Sequence, residues 1–113
     1  MMANFVLDLL FPPKCVLCGR LLQKQEHDFC LDCFYDLPEC ETVRKVAYTD
    51  GCVAPLRYTG SVREAILRYK FSGHSYYAPA FGALIAKKVQ PCQAELVTWV
   101  PVSRRRRFTR GYD

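Results

Sequence analysis

The sequence predicts an α/β unit preceded by a small cysteine-bearing module. Three observations lead to this prediction: two Cys-x2-Cys pairs near the N-terminus, alternating strand-like and helix-like patterns after residue 42, and a run of arginines behind a late apolar segment. We expect residues 1–40 to form the first module and residues 41–113 to belong to the second. A chain of 113 residues, half of them apolar, has room for a small module and part of a larger domain.

The cysteine pairs, Cys15 with Cys18 and Cys30 with Cys33, indicate one tetrahedral metal site. Each pair is expected to lie on a tight turn, so that its thiolates face a single ion, and zinc favours soft ligands of this kind. Gly19 follows the first pair and is expected to take the positive φ that such a turn needs. A closed set of thiolates leaves no position for water, so we predict a structural zinc rather than a catalytic one.

Other interpretations of these cysteines remain open. They could form disulfides in an oxidising compartment, or one pair could be redox-active within a thioredoxin-like βαβ context. His27 and Cys40 lie nearby and could replace a ligand, although a surface histidine and a small buried thiol are simpler interpretations. A segment of about 40 residues rarely folds on apolar burial alone. Structural zinc contributes an apparent 10–16 kcal/mol or so in small zinc modules, which favours the metal.

The N-terminal run MMANFVLDLLFPPK predicts a short amphipathic helix, which we expect to pack on the metal module or on a partner. The residues that share its apolar face are Phe5, Val6, Leu9 and Leu10. Pro12 and Pro13 are expected to end it. The run lacks a basic start and a small-residue cleavage site, and it is too short to span a bilayer. We therefore expect no signal peptide, no membrane span and a cytoplasmic location.

A β-hairpin and a helix are predicted next. Residues 43–48 and 52–58 are expected to pair around a turn at 49–51, with Pro55 indicating an edge strand. Residues 61–64 have the form of a capping box, so a helix is predicted to start there and to end at residues 72 and 73. The residues expected to form its buried stripe are Val62, Ala65, Ile66 and Tyr69.

A second helix and a buried strand complete the predicted elements. The helix is expected from about residue 78 to residue 90, with Pro79 in its first turn. Its inward-facing residues are expected to be Phe81, Leu84 and Ile85. Residues 95–100, ELVTWV, are almost continuously apolar and predict an interior parallel strand.

The positive charge of the chain is concentrated near its end, in Arg104, Arg105, Arg106, Arg107 and Arg110. Without these arginines the basic and acidic residues are equal in number, so the net charge of +5 belongs to one stretch. Guanidinium groups are fork-shaped donors suited to phosphate, which predicts an anion or nucleic-acid contact. The alternative is a solvated segment without a ligand.

The turn before the arginines is a second candidate for phosphate binding. Pro101, Val102 and Ser103 follow the predicted strand, and ligands of open α/β sheets bind at the carboxyl ends of strands. Backbone N–H groups of such a loop could cradle a phosphate, although an ordinary strand-to-helix turn is equally consistent with the pattern. Lys70 at the end of the predicted helix at residues 61–73 could separately reach a phosphate, or it could instead satisfy the last helix carbonyls.

The order of these motifs resembles the ComF family of competence-related bacterial proteins. The matching segments are CVLCGR, CLDC, YTGSVREAILRYKFSG and WVPVSRRRRFTRGYD, in which Asp113 stands where the family usually has asparagine. The resemblance implies a zinc ribbon followed by the first part of a type I phosphoribosyltransferase-like α/β domain. The acidic pair and Thr/Gly-rich loop that bind ribose phosphate in such domains are not found, so we expect a truncated copy or fragment.

Three functions of different classes remain open, of which the first two follow from the resemblance. The first is an accessory role in DNA uptake, with single-stranded DNA or other uptake proteins as partners. The second is phosphoribosyl transfer from phosphoribosyl diphosphate, which is expected only of a longer chain, so the assignment as an enzyme stays open. The third is a protein-interaction module that depends on zinc.

Overall fold

The chain is described from a computed structural model that covers residues 2–113, with side chains from residue 5 onward. Its elements are helices: α1 (Met2–Leu10), α2 (Leu31–Tyr35), α3 (Gly60–Phe71), α4 (Ala78–Val89) and α5 (Arg104–Arg110), with a 3-10 turn (Ser75–Tyr77) before α4. Within residues 2–113, no helix is both long enough and apolar enough to cross a bilayer.

Helix α1 forms as the apolar spacing predicts and ends before the two prolines. The prediction that it packs on the metal module is wrong for its described side chains. Phe5 and Leu9 remain 72% and 73% exposed, and the neighbouring Leu10 and Phe11 are similarly open. The helix therefore presents an apolar face that the described residues of the chain leave exposed.

The predicted hairpin is present only as two isolated antiparallel bridges. Glu39 pairs with Leu56, and Arg44 pairs with Cys52 through reciprocal backbone hydrogen bonds of 2.9 and 2.8 Å. Continuous strands do not form, because most of this segment is exposed and has no second layer to pack against.

Helix α3 is confirmed, but its predicted start is wrong. Thr59 occupies the N-cap position, and no side chain caps the helix, so the capping box expected at residues 61–64 does not form. The buried stripe is confirmed: Val62 and Ala65 are fully buried, and Ile66 and Tyr69 pack against the core. Ser72 is the C-cap, as predicted.

Helix α4 is also confirmed, with Pro79 in its first turn and Gln90 as its C-cap. Phe81 packs against the core and Leu84 is half-buried. Ile85, which was predicted to face inward, is instead 51% exposed.

The interior parallel strand predicted at residues 95–100 is not found. The segment has no strand assignment, and Leu96, Val97 and Val100 are more than four-fifths exposed. An interior strand requires paired neighbours on both sides, and the described residues contain only isolated bridges. The α/β architecture expected for residues 41–113, including its phosphoribosyltransferase-like part, is therefore not supported.

A small core joins the cysteine module to the later helices. Its buried members come from the first cysteine turn, from Cys30, from α3 and from the start of α4; they are Cys15, Val16, Leu17, Cys30, Val62, Ala65, Tyr77 and Ala80. Because one cluster contains residues from both predicted units, the metal module and the α3–α4 pair stabilise each other through shared apolar burial.

Candidate functional site

The two cysteine pairs meet at one point. The Sγ atoms of Cys15, Cys18, Cys30 and Cys33 all lie within 4.8 Å of one another. Cys18 Sγ and Cys30 Sγ are 3.7 Å apart. A regular tetrahedron with Zn–S distances of about 2.3 Å has edges of roughly 3.8 Å, so this separation fits zinc. It is too long for a disulfide, and all seven cysteines of the chain are free thiols.

Local backbone geometry turns the thiols inward. In the first knuckle (residues 15–20), Gly19 takes the predicted positive φ of 76° and donates its N–H to Cys15 O at 2.9 Å. Cys15 N–H donates to Arg20 O at 2.7 Å and closes the turn. In the second knuckle, Cys30 is the N-cap of α2, and Cys33 lies in the first turn of that helix.

The close approach of the cysteine side chains shifts their pKa values in opposite directions. Burial would raise the pKa of the Cys30 thiol, but hydrogen bonds from the Cys33 backbone, the Arg20 side chain and its neighbouring thiols lower it to about 7. Burial and hydrogen bonds with the other thiols raise the pKa of Cys33 well above its usual range. Burial also raises the pKa of Cys18. Crowded thiolates repel one another, and a divalent cation removes this penalty.

A buried carboxylate supports the second knuckle. Glu26 accepts the N–H of Gln23 at 2.8 Å and the N–H of Leu31 at 2.9 Å, and it also forms an ion pair with Arg20 at 2.9 Å. These backbone bonds, together with the guanidinium charge, lower the pKa of Glu26. Leu31 directly follows Cys30, so Glu26 positions the backbone at a zinc ligand from outside the coordination sphere.

The fold and ligand set define the N-terminal module as a zinc ribbon with a structural zinc site. Residues 6–55 match the family model described as "Double zinc ribbon domain". The matched region contains both cysteine pairs and extends past residue 40 into the hairpin. Comparison with curated proteins and with solved structures found no significant match to the chain.

In the described part of the chain, Cys15, Cys18, Cys30 and Cys33 are the one group of metal-ligating side chains close enough to share an ion. His27 and Cys40 are not part of it. Cys40 N–H donates to Pro55 O at 3.1 Å, whereas Cys52 pairs with Arg44 further along the hairpin. Residues 39–56 thus have isolated antiparallel bridges, and no second group of metal ligands is found among the described residues.

Part of the arginine run borders a basic cleft of about 360 Å³ between the end of α3 and helix α5. The residues that line this basic cleft are Lys70, Phe71, Gly73, Ser103, Arg105, Arg106, Thr109 and Arg110. None of these lining residues is acidic, and two of them supply hydroxyl groups. The Arg110 guanidinium lies over the Phe71 ring, 5.2 Å from its centroid. Cations crowded around an open cleft create a positive potential that attracts anions.

The cleft includes only some of the residues predicted to bind phosphate. Arg104 and Arg107 do not line it, although both are exposed on α5. Of the predicted phosphate loop, only Ser103 contributes, and its Oγ caps α5 by accepting Arg106 N–H at 3.4 Å. Val102 N–H donates to Asp113 Oδ1 at 3.0 Å, so this loop amide already has a partner.

Two residues of structural importance were missed from the sequence. Glu26 was passed over, although an acidic residue between two cysteine pairs is well placed to accept knuckle amides. Arg68 was also missed; it lies one turn after the buried Ala65, and a charged residue on such a stripe signals a specific partner. Its partners are the carbonyls of Val16 and Leu17.

Proposed function

We propose that this protein is a zinc-ribbon accessory factor in DNA uptake, and that its basic cleft binds the phosphodiester backbone of single-stranded DNA. The observation that carries the proposal is the basic cleft, in which Lys70 from α3 joins Arg105, Arg106 and Arg110 from α5. Residues 35 to 40 positions apart in sequence thus contribute charge to one surface. A cytoplasmic location, where thiols stay reduced, suits such a zinc site.

The chemistry of the cleft favours a nucleic acid without sequence specificity. Guanidinium and ammonium groups neutralise backbone phosphates, whereas exposed aromatic rings offer stacking surfaces for bases. Phe108 lies on α5 outside the cleft lining, and its ring is 95% exposed and available for stacking. Tyr112, the aromatic residue that follows α5, is half-buried against Tyr69 and has a structural contact instead.

The test compares two double variants of the zinc-loaded protein by fluorescence anisotropy with a labelled oligothymidylate. The cleft variant is R105S/R106S, and the matched control is K24S/R63S, which removes the same charge from exposed positions outside the cleft. We expect the cleft variant to lose about tenfold or more in affinity and the control to change little, since electrostatic contacts dominate such binding. Equal losses in both variants would refute a localised site.

Competition distinguishes the nucleic acid from a small phosphorylated ligand. Phosphoribosyl diphosphate is the substrate that the alternative transferase function requires, and the cleft volume of about 360 Å³ is large enough for a molecule of this size. If phosphoribosyl diphosphate displaces the oligothymidylate at low concentration and inorganic pyrophosphate does not, the transferase function is favoured.

A zinc-dependent protein-interaction module is the second candidate, and the exposed apolar face of α1 favours it. Phe5, Leu9 and Leu10 are each about two-thirds exposed or more. Contiguous exposed apolar residues are typical of interaction sites. The candidate predicts that F5S/L9S abolishes capture of a partner by the full chain while zinc content stays unchanged. Undiminished capture by that variant would exclude α1 as the docking element.

A further inference from the structure

We propose that Arg68 couples the zinc site to the basic cleft, so that loss of the metal weakens anion binding in the cleft. The inference concerns regulation of the cleft and rests on the proposed function for its physiological meaning. Its structural part, that zinc holds the end of α3 in place through Arg68, can be tested independently of any ligand.

The first half of the connection is a pair of hydrogen bonds from α3 to the first knuckle. Arg68 Nη2 donates to Leu17 O at 2.7 Å and to Val16 O at 3.0 Å. Both carbonyls belong to the residues between Cys15 and Cys18. Their direction is therefore set by the turn that brings these thiols to one ion.

Arg68 is itself held in place by aromatic packing. Its Nε lies 3.4 Å from Tyr77 Oη, and its guanidinium carbon lies 6.0 Å from the centroid of the Tyr77 ring. Tyr77 is 3% exposed and belongs to the core. A planar guanidinium fixed in this way can serve two carbonyls at once, which a flexible ammonium cannot do as well.

The second half of the connection leads from Arg68 to the cleft through the next three residues. Tyr69 O accepts a hydrogen bond of 2.7 Å from Tyr112 Oη, which fixes the segment after α5. Lys70 and Phe71 line the cleft directly, and Phe71 lies under Arg110. The last turn of α3 therefore forms one wall of the basic cleft. Through Tyr69 it also fixes the segment after α5, and α5 forms the opposite wall.

Metal loss is expected to act at the first knuckle. Small zinc modules depend on the metal for their fold, because their apolar cores are too small to hold the turns. When the knuckle relaxes, the Val16 and Leu17 carbonyls no longer present a common acceptor pair to Arg68. The end of α3 then loses the two hydrogen bonds that hold it to the knuckle. Lys70 on α3 is no longer held close to the arginines on α5. By thermodynamic linkage, an anion in the cleft must in turn tighten zinc binding.

The experiment compares full-length wild type, R68M, R68K and R63M, each loaded with zinc and checked for metal content. Arg63 is exposed on the same helix and serves as the matched control. Hydrogen exchange is measured at the amides of residues 69–73, and oligothymidylate affinity is measured by anisotropy. We expect R68M to exchange faster there and to bind at least about fivefold more weakly, a typical size for coupling between sites. R68K should recover part of both effects, and R63M should match wild type.

The second part of the experiment removes zinc with a chelator and compares wild type with R68M. Chelation should accelerate exchange at residues 69–73 in wild type and should weaken oligothymidylate binding, and the change in affinity should be much smaller in R68M. The coupling is overturned if R68M retains its zinc with unchanged exchange and unchanged affinity, or if chelation changes affinity equally in both proteins. If wild type binds no oligothymidylate, the proposed function fails. The exchange data still decide whether Arg68 connects the knuckle to α3.

Discussion

Tyr112 Oη donates a hydrogen bond of 2.7 Å to the backbone carbonyl of Tyr69, and the two rings lie with their centroids 5.2 Å apart. This contact ties the segment after α5 to the end of α3. The basic cleft lies between these two elements, so the contact determines how closely the charges on α5 approach Lys70.

Removing this hydroxyl should loosen the cleft without removing any charge from it. We expect Y112F to lower the free energy of unfolding by about 0.5–1.5 kcal/mol, since the ring is kept and one hydrogen bond is lost. Urea denaturation of the zinc-loaded protein measures the change. Y58F, at an exposed tyrosine, is the control, and equal effects of the two variants would contradict the assigned role.

Loss of a single zinc ligand should abolish metal retention. We expect C30S to lose its bound zinc and to unfold at a clearly lower temperature, because the remaining thiolates leave the coordination sphere open. Metal analysis after gel filtration measures the stoichiometry, and circular dichroism measures the melting temperature. C92S and C40S, outside the cluster, should both retain one zinc. Zinc loss in C40S would show that this thiol participates after all.

Glu26 should make stability depend on pH in the acid range. Its pKa is lowered from 4.5 in the folded state by the amides of Gln23 and Leu31 and by Arg20, so its ionised form stabilises the fold. This contribution is fully present above the unfolded pKa and is lost as the pH falls through the lower, folded pKa. We therefore expect wild type to exceed E26Q in stability above about pH 5, with the difference shrinking below that.

Parallel denaturation of wild type and E26Q over this pH range tests the prediction. Protonation of the zinc thiolates affects both proteins, so the difference between them isolates Glu26. The exposed Glu64 provides the charge control, and E64Q should show no comparable pH-dependent difference. A difference between wild type and E26Q that stays constant down to the most acidic measurable pH would exclude the carboxylate as its source.

Salt dependence should report how many cleft residues contact phosphate. For single strands, the slope of the logarithm of affinity against the logarithm of salt concentration changes by about 0.7 for each phosphate contact. We expect R105S/R106S to reduce the slope by about 1.4 in total, if both arginines contact phosphate. Titration of oligothymidylate binding against potassium chloride measures it. A slope unchanged from wild type would place the contacts elsewhere, for instance on Arg104 and Arg107.

Local patterns in the sequence were sufficient to predict the zinc ligands and most of the helices. The Cys-x2-Cys spacing determines the local geometry of the metal site, because ligands three residues apart on a turn converge on one ion whatever surrounds them. The stripe of Val62, Ala65 and Ile66 likewise defines a helix face at short range. Elements that depend on distant neighbours were predicted poorly: residues 95–100 are apolar like an interior strand, yet no paired strand lies beside them.

Contacts that join separate parts of the chain required the three-dimensional structure. The bond from Arg68 to Leu17 spans 51 residues, and the cleft brings Lys70 together with Arg105 and Arg110. No periodicity or spacing encodes such pairs, since they arise where the fold brings α3 against the first knuckle and α5 beside the end of α3. The sequence thus determined that the chain binds zinc through four cysteines, because chelation is local. Tertiary packing decided which arginines line a common cleft and which side chain of α3 bonds to the first knuckle.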